Sequence, residues 1–267
     1  MSTTNIMATY VSGTTWTRNT DCIVSNNSGY DTTGICLNIA GYGNVGATLI
    51  SDRHVLLANH VSNAFSLPTT LYFVNDSNTT FTYTITAIQR IGPAAGTGYT
   101  DISIGYLNSV VDPSLTYYKV FPSTFLDYLN LGTTYPSFQY LNPYLPLFYM
   151  DQEKKFLCGD LDGISLSDVT SPKLSLVFSS NVARYNNSEQ IIGGDSGNII
   201  FAPVNGEIVL LGSWYTTSGA SKSPGNSIGI ASYICPNISD INSAMTSLAG
   251  TSYALTEINM SSFASYI

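Results

Sequence analysis

Helical periodicity is nearly absent from this chain until residue 238, and that constrains the fold more than any other feature. What precedes it is a succession of short apolar, β-branched runs: Ile35 to Ile39, Ala47 to Ile50, Val55 to Leu57, Thr70 to Val74, Thr80 to Ile88, Ile102 to Leu107, Leu174 to Phe178, Ile199 to Phe201 and Ile208 to Leu211. Clusters of Gly, Asn, Pro and Ser separate them. Many short strands at this spacing predict an all-β sandwich or barrels. The exception is Ile238 to Leu248, where Ile238, Ile241, Met245 and Leu248 recur at three- and four-residue steps and Gly250 supplies a stop; one C-terminal helix is expected there. The stretch from Val110 to Leu147, rich in Pro, Tyr and Ser, reads as a crossing segment, with a lobe boundary near 122–130. Residues 1–30 are polar and read as an arm rather than core.

At 267 residues the chain suits a two-lobed β protein or two small domains. A hydrophobic content of 44% is ample for a core, whereas only 10% of residues are charged, so solubility falls to Ser, Thr, Asn and Gly. A net charge of −8 and few Lys or Arg argue against nucleic acid, which needs a basic face. No run approaches a membrane span. The opening Met-Ser-Thr-Thr-Asn lacks the basic start and apolar stretch of a signal peptide, so either a leader has been removed or the protein is made without one; localisation is left open. Four widely spaced cysteines without Cys-x-x-Cys, and only two histidines, make a zinc site improbable, and neither a metal nor a cofactor is expected. The pairing of the cysteines is open, with free buried thiols as one alternative.

The stretch Ile191-Ile192-Gly193-Gly194-Asp195-Ser196-Gly197-Asn198-Ile199-Ile200 sets a carboxylate and a hydroxyl among glycines, between two β-branched pairs that read as strand ends. A tight turn explains it in the simplest way. The sharper reading is a backbone bent so that its N–H groups converge on an oxyanion beside Ser196. A serine hydroxyl is a poor nucleophile until a base takes its proton and a carboxylate holds that base in one tautomer. His54 and His60 flank the apolar run Val55 to Ala58, and His60, at the run's end, is placed by a rigid element yet able to reach a cleft. Asp101 heads the alternating strand Ile102, Ile104, Tyr106. In isolation each has an ordinary structural explanation.

Taken in order, Ala58-Asn59-His60, Thr100-Asp101-Ile102 and Gly194-Asp195-Ser196-Gly197 resemble the trypsin-like, chymotrypsin-fold serine endopeptidases. Gly46 to Ile50 resembles the strand before that family's histidine, Gly132-Thr133-Thr134 the opening of its second barrel, Leu211-Gly212-Ser213-Trp214 the strand walling its cleft, and Ser223-Pro224-Gly225 the far wall of its pocket. The resemblance spans roughly residues 32–250. It implies two six-stranded antiparallel β-barrels with a short C-terminal helix, divided as an arm (1–30), a first barrel (31–125), a second barrel (126–236) and a helix with tail (237–267). It implies that His60 is the general base, Asp101 its orienting carboxylate and Ser196 the nucleophile, with the N–H groups of Gly194 and Ser196 as oxyanion hole and the Ser213 hydroxyl supporting Asp101. Gln190 would stand at the pocket floor, with Trp214, Tyr215 and Gly225 around it, which suits an uncharged residue of a polypeptide substrate before the scissile bond; Glu189 is its neighbour, and a slip of one residue would instead suit a basic one.

The chain departs from that pattern in two places. No Ile-Val-Gly-Gly-like sequence could release an amine to pair with Asp195, so another partner is expected and zymogen cleavage is not. The bridges beside the histidine and the serine are absent, while Cys22 and Cys158 fall near positions that trypsins tie together, which implies a Cys22–Cys158 disulfide. Two other readings remain: a catalytically silent homologue used for binding or structure, and an esterase. The order His, Asp, Ser disfavours the α/β-hydrolase kind of esterase.

Overall fold

The computed structural model describes residues 5–22, 24, 29–92, 100–129, 131–135, 138–165 and 172–263. Gly98 and Tyr99, just upstream of Asp101, and the first four residues lie outside them. The chain is mostly β and folds as two sheet units with a short C-terminal helix.

An N-terminal hairpin comes first, β1 (Ala8–Ser12) with β2 (Thr15–Arg18). It is no loose arm. Met7 and Cys22 are fully buried, Trp16 is nearly so, and all three belong to the core that α3 also enters (below). Met7, Trp16 and Cys22 turn inward while Tyr10 and Val11 stay exposed, and burying the first three outweighs the polarity of the rest.

The first sheet unit takes β3 (Asn38–Ile39), β4 (Ala47–Leu49), β5 (His54–Ala58), β6 (Thr69–Val74), β7 (Thr80–Ile91) and β8 (Ile102–Leu107), with the single turn α1 (Asn59–Ser62) after β5. Its antiparallel order is β3-β6-β7-β8-β5-β4. The sheet curls into a half-barrel whose two edges are stitched by a bridge between Ile35 and Thr48 and a bond from the Cys36 N–H to the Ala47 carbonyl (2.9 Å). Leu49, Val55, Leu71, Phe73 and Ile85 fill it.

The second unit begins upstream of the expected boundary. The short β9 (Lys119–Val120) already pairs in parallel with a strand of the second sheet, β15. Then come β10 (Leu131–Tyr135), β11 (Phe138–Met150), β12 (Phe156–Ser165), β13 (Lys173–Val177), the short α2 (Val182–Asn186), β14 (Ile199–Val204), β15 (Glu207–Thr217) and β16 (Ser227–Tyr233). The order β11-β12-β13-β16-β15-β14 closes on itself because β14 also pairs with β11. Much of the expected crossing segment is therefore strand. Leu147, Tyr149, Leu161, Leu174, Leu211 and Trp214 pack inside.

The helix α3 runs Ile238–Ala249 and ends on Gly250 at φ +67°, the left-handed stop that glycine adopts without a Cβ penalty. Ile238, Ile241, Ala244 and Met245 are its buried face, and it packs on β7 and β8.

Candidate functional site

His60, Asp101 and Ser196 come from three elements and two sheet units, and the fold brings them into one hydrogen-bonded series. The rigid strand β5 ends at Ala58, and the turn α1 lifts His60 off its end with the side chain 39% exposed. Asp101 precedes β8, which pairs with β5 from Ala58–Ile102 to His54–Tyr106, so the carboxylate stands beside the histidine by strand register. Its backbone sits at φ +57°, a left-handed conformation uncommon outside glycine, and the residue is 1% exposed. The surrounding bonds hold that conformation: the Asn59 N–H donates to the Asp101 carbonyl (3.0 Å), and the Thr100 hydroxyl donates to the Ile91 carbonyl (2.5 Å).

The carboxylate accepts two bonds from His60. Its Oδ1 accepts from the backbone N–H (2.7 Å), and its Oδ2 lies 2.8 Å from Nδ1. The other ring nitrogen, Nε2, is 2.8 Å from Ser196 Oγ. With the Nδ1 proton directed at a buried carboxylate, Nε2 is the basic lone pair and faces the hydroxyl. The arrangement can take the serine proton and give it to a leaving group.

Ser196 sits on the turn between Ile191 and β14. The turn meets the first unit so closely that side chains are excluded: a Cβ on Gly46 would overlap the Gly197 backbone, and one on Gly197, at φ +77°, would stand 2.6 Å from the Gly46 carbonyl. The Gly46 N–H donates to the Ser196 carbonyl (2.8 Å), and the Gly197 N–H to the Trp214 carbonyl (3.0 Å). Gly194 is at φ +108°, where a Cβ would strike the Gln152 side chain. Among the described residues the N–H groups of Gly194 and Ser196 have no acceptor, so both are available to a ligand oxygen.

Asp195 finds its partners in the backbone. Oδ1 accepts from the Gln152 N–H (2.8 Å) and Oδ2 from the Ile192 N–H (2.6 Å). Burial pushes its carboxyl above the usual carboxylate range, against the pull of those two amides. Ile191 is buried and Ile192 is 55% exposed, so the first isoleucine pair is loop; only Ile199-Ile200 opens a strand.

Besides Gln190, described below, three sequence expectations need correction. The Ser213 hydroxyl is fully buried and has no hydrogen-bond partner among the described residues, so it does not support Asp101. The link from the second unit is made one strand over, by Ser232, whose hydroxyl donates to the Thr100 carbonyl (2.5 Å); Ser213 and Ser232 are cross-strand partners, and only Ser232 reaches the first unit. Gly225 lies in an exposed turn at φ +82°, away from the cavity, because β15 and β16 run on past the cleft before they turn. The glycine that gives way is Gly229, where a Cβ would overlap the Ile191 side chain. Finally, all four cysteines are free thiols: Cys22 and Cys158 are unbridged, Cys22 lying in the core and Cys158 within β12, so the implied disulfide is absent.

Beside Ser196 a cavity of about 190 Å³ is lined by Ile191, Ile192, Trp214, Tyr215, Thr216 and Thr217. Trp214 is anchored through its Nε1–H to the Met150 carbonyl (3.0 Å), and the Tyr215 ring stands 6.3 Å from that of His60. Gln190 lies behind the lining rather than at a floor. Its Nε2 donates to Ser218 Oγ (3.1 Å) and to the Ile228 carbonyl, and its Oε1 is buried without a partner among the described residues. His54, the other histidine, is fully buried, 2.8 Å from Ser51 Oγ through Nδ1 and packed against Tyr253 and Tyr106, with no part in this site.

Asp151, Glu153 and Glu189 approach closely enough to hold a cation, but the Lys155 ammonium already lies among them, 3.0 Å from Glu189 and 3.8 Å from Asp151. No helix among the described residues is long and apolar enough to cross a membrane. No protein-family model matches the sequence, and neither does any curated protein.

Proposed function

We propose that this chain is a serine endopeptidase of the trypsin-like kind, acting through His60, Asp101 and Ser196. The observation that carries the reading is the unbroken series from Asp101 Oδ2 to His60 Nδ1 and from His60 Nε2 to Ser196 Oγ, both at 2.8 Å. Ser196 Oγ attacks the substrate carbonyl while His60 Nε2 takes its proton. The carbonyl oxygen, now negative, lies against the N–H groups of Gly194 and Ser196. The imidazolium, steadied by Asp101, then gives its proton to the leaving amine, and water repeats the cycle on the acyl-enzyme.

A polypeptide substrate fits the cavity better than a free small molecule does. At about 190 Å³ it is below the ~300 Å³ at which ligand pockets usually begin, and it suits one side chain of a longer chain. Among the described residues its only charged lining group, Asp195, is committed to the Gln152 and Ile192 amides, and Ile191 takes up space over Gly229. The residue before the scissile bond is therefore small to medium and uncharged. Asp195 needs no released N-terminal amine, which supports activity without zymogen cleavage.

Labelling with a fluorophosphonate probe tests the reading. Wild type is expected to label, and Ser196→Ala and His60→Ala are not. A folded wild type that resists the probe would instead favour a silent homologue that binds through the same cleft. A library profile dominated by Lys or Arg before the cleaved bond would overturn the substrate preference.

A further inference from the structure

Directly behind the Ser196 turn the fold buries a lysine. Lys154, in the connection from β11 to β12, is 4% exposed, and among the described residues no carboxylate lies within ion-pair distance of it. Its Nζ donates instead to two neutral acceptors, the Asn44 carbonyl (2.8 Å) and Asn198 Oδ1 (2.7 Å). Asn198 passes the grip onward. Its Nδ2 donates to the Asp195 carbonyl (3.1 Å) and the Asn44 carbonyl (3.3 Å), and its backbone N–H donates to the same Asp195 carbonyl (3.1 Å). On the other side, Asn44 stands two residues before Gly46, whose N–H holds the Ser196 carbonyl. The peptide units on both sides of Ser196 are thus tied to groups that converge on one ammonium.

The backbone is bent to put it there. Lys154 lies at φ +59°, a conformation that L-residues rarely adopt. Its N–H donates to the Asp151 carbonyl (3.1 Å), and its carbonyl accepts from the Met7 N–H (2.9 Å) of the N-terminal segment. A buried charge held by neutral acceptors is costly, and a neutral side chain would fill the space more cheaply. What only the ammonium supplies is charge-assisted donation to both sheet units at once.

We infer that Lys154 is a positioning residue whose ammonium, through Asn198 and Asn44, holds the 194–197 turn so that the Gly194 and Ser196 N–H groups and Ser196 Oγ face the cleft. This rests on the reading of Ser196 as nucleophile. It also makes the turn sensitive to alkali. Burial pushes the Lys154 amine down to about 8, and the groups facing it, the Cys36 thiol ahead of β3, Asp151 at the end of β11 and Asp195 in the turn, offset that only in part. The neutral amine keeps both contacts at about half their strength. Deprotonation does not itself unfold the protein. Between pH 8 and the ordinary lysine value of 10.5 the unfolded chain binds the extra proton, so this group adds stability as pH rises.

The test follows Trp214 emission in a Trp16→Phe background, which leaves one tryptophan, bonded to Gly197 and Asn198 of the turn. Fluorophosphonate labelling is followed in parallel from pH 7 to 9.5, with thermal unfolding as control. Both signals are expected to change with a midpoint near 8. Labelling should slow about 10-fold, part of what loss of one oxyanion donor costs, while the unfolding temperature does not fall between pH 7 and 9. Asn198→Asp, which pairs the ammonium with a carboxylate, should move the midpoint upward. Lys154→Met should remove the titration and label slowly at every pH; if it does not fold, the wild-type and Asn198→Asp profiles decide. A flat emission and labelling profile in folded wild type, or an unmoved midpoint in Asn198→Asp, overturns the inference and leaves the protease reading intact. A titrating Trp214 with no labelling at any pH overturns the protease reading and with it the positioning role toward Ser196, while the grip of Lys154 on the turn stands.

Discussion

The two histidines stand at opposite ends of one strand and have opposite fates. His54 opens β5 and is fully buried under Tyr253, with a serine hydroxyl as its near polar neighbour. His60 follows the strand's other end, keeps more than a third of its side chain in solvent and meets a carboxylate on one nitrogen and a hydroxyl on the other. Burial pushes His54 down to about 4, so it is neutral wherever the protein is folded at ordinary pH. Packing gave one imidazole a structural place and took away its proton chemistry. The other was left at the seam between two sheet units, where a second partner could reach it.

The largest effect that would sharpen this contrast is on hydrolysis. His60→Gln should lower kcat by roughly 10⁶-fold, as when a triad base is removed, whereas His54→Gln, if folded, should label at close to the wild-type rate. Equal losses from both would break the distinction. Asp101→Asn comes next, with kcat expected to fall about 10⁴-fold because the amide favours the wrong imidazole tautomer; a loss under tenfold would mean that Asp101 only packs.

Smaller, and on stability alone, is the acid sensitivity of His54. Between its folded value of about 4 and the ordinary 6.5 the unfolded chain binds more protons, so its contribution is complete above 6.5 and is lost as pH falls toward 4. The shift corresponds to about 3 kcal/mol by pH 4. Asp151, pushed up to about 6 mainly by burial, acts in the opposite sense over part of that window. The quantity to measure is therefore the difference between wild type and His54→Phe in urea midpoints across pH 4–7, and parallel profiles would refute it. Smallest is Ser51→Ala, which removes the hydroxyl from His54 Nδ1 and should cost about 1 kcal/mol without changing labelling.

What was legible in the sequence follows local rules. Strands such as β6 and β8 show as β-branched or alternating runs, and α3 shows its 3.6-residue period and its glycine stop. Strands β11 and β12 did not show. Pro143 and Pro146 interrupt the first, and Gly159 and Gly163 the second, all poor strand formers that a closed barrel overrides with cross-strand pairing. The hairpin β1–β2 was hidden by polar composition, since only a few residues carry its burial. Among site residues, the local glycine context marked Ser196 and its turn. Ser213 and Gly225 were misplaced because neighbours across a sheet and the length of a hairpin are not local properties.

By itself the sequence determined the all-β class and the C-terminal helix, because periodicity and stop signals act over a few residues, and the three residues worth bringing together came from the order of their motifs and its resemblance to a known family. Only the tertiary structure decided that His60 and Asp101 meet at 2.8 Å, that backbone amides hold Asp195, and that Lys154 stands buried behind the turn. Those are contacts between residues up to 154 positions apart, as between Asn44 and Asn198, and strand register and the closure of two sheet units set them, which no short stretch of chain encodes.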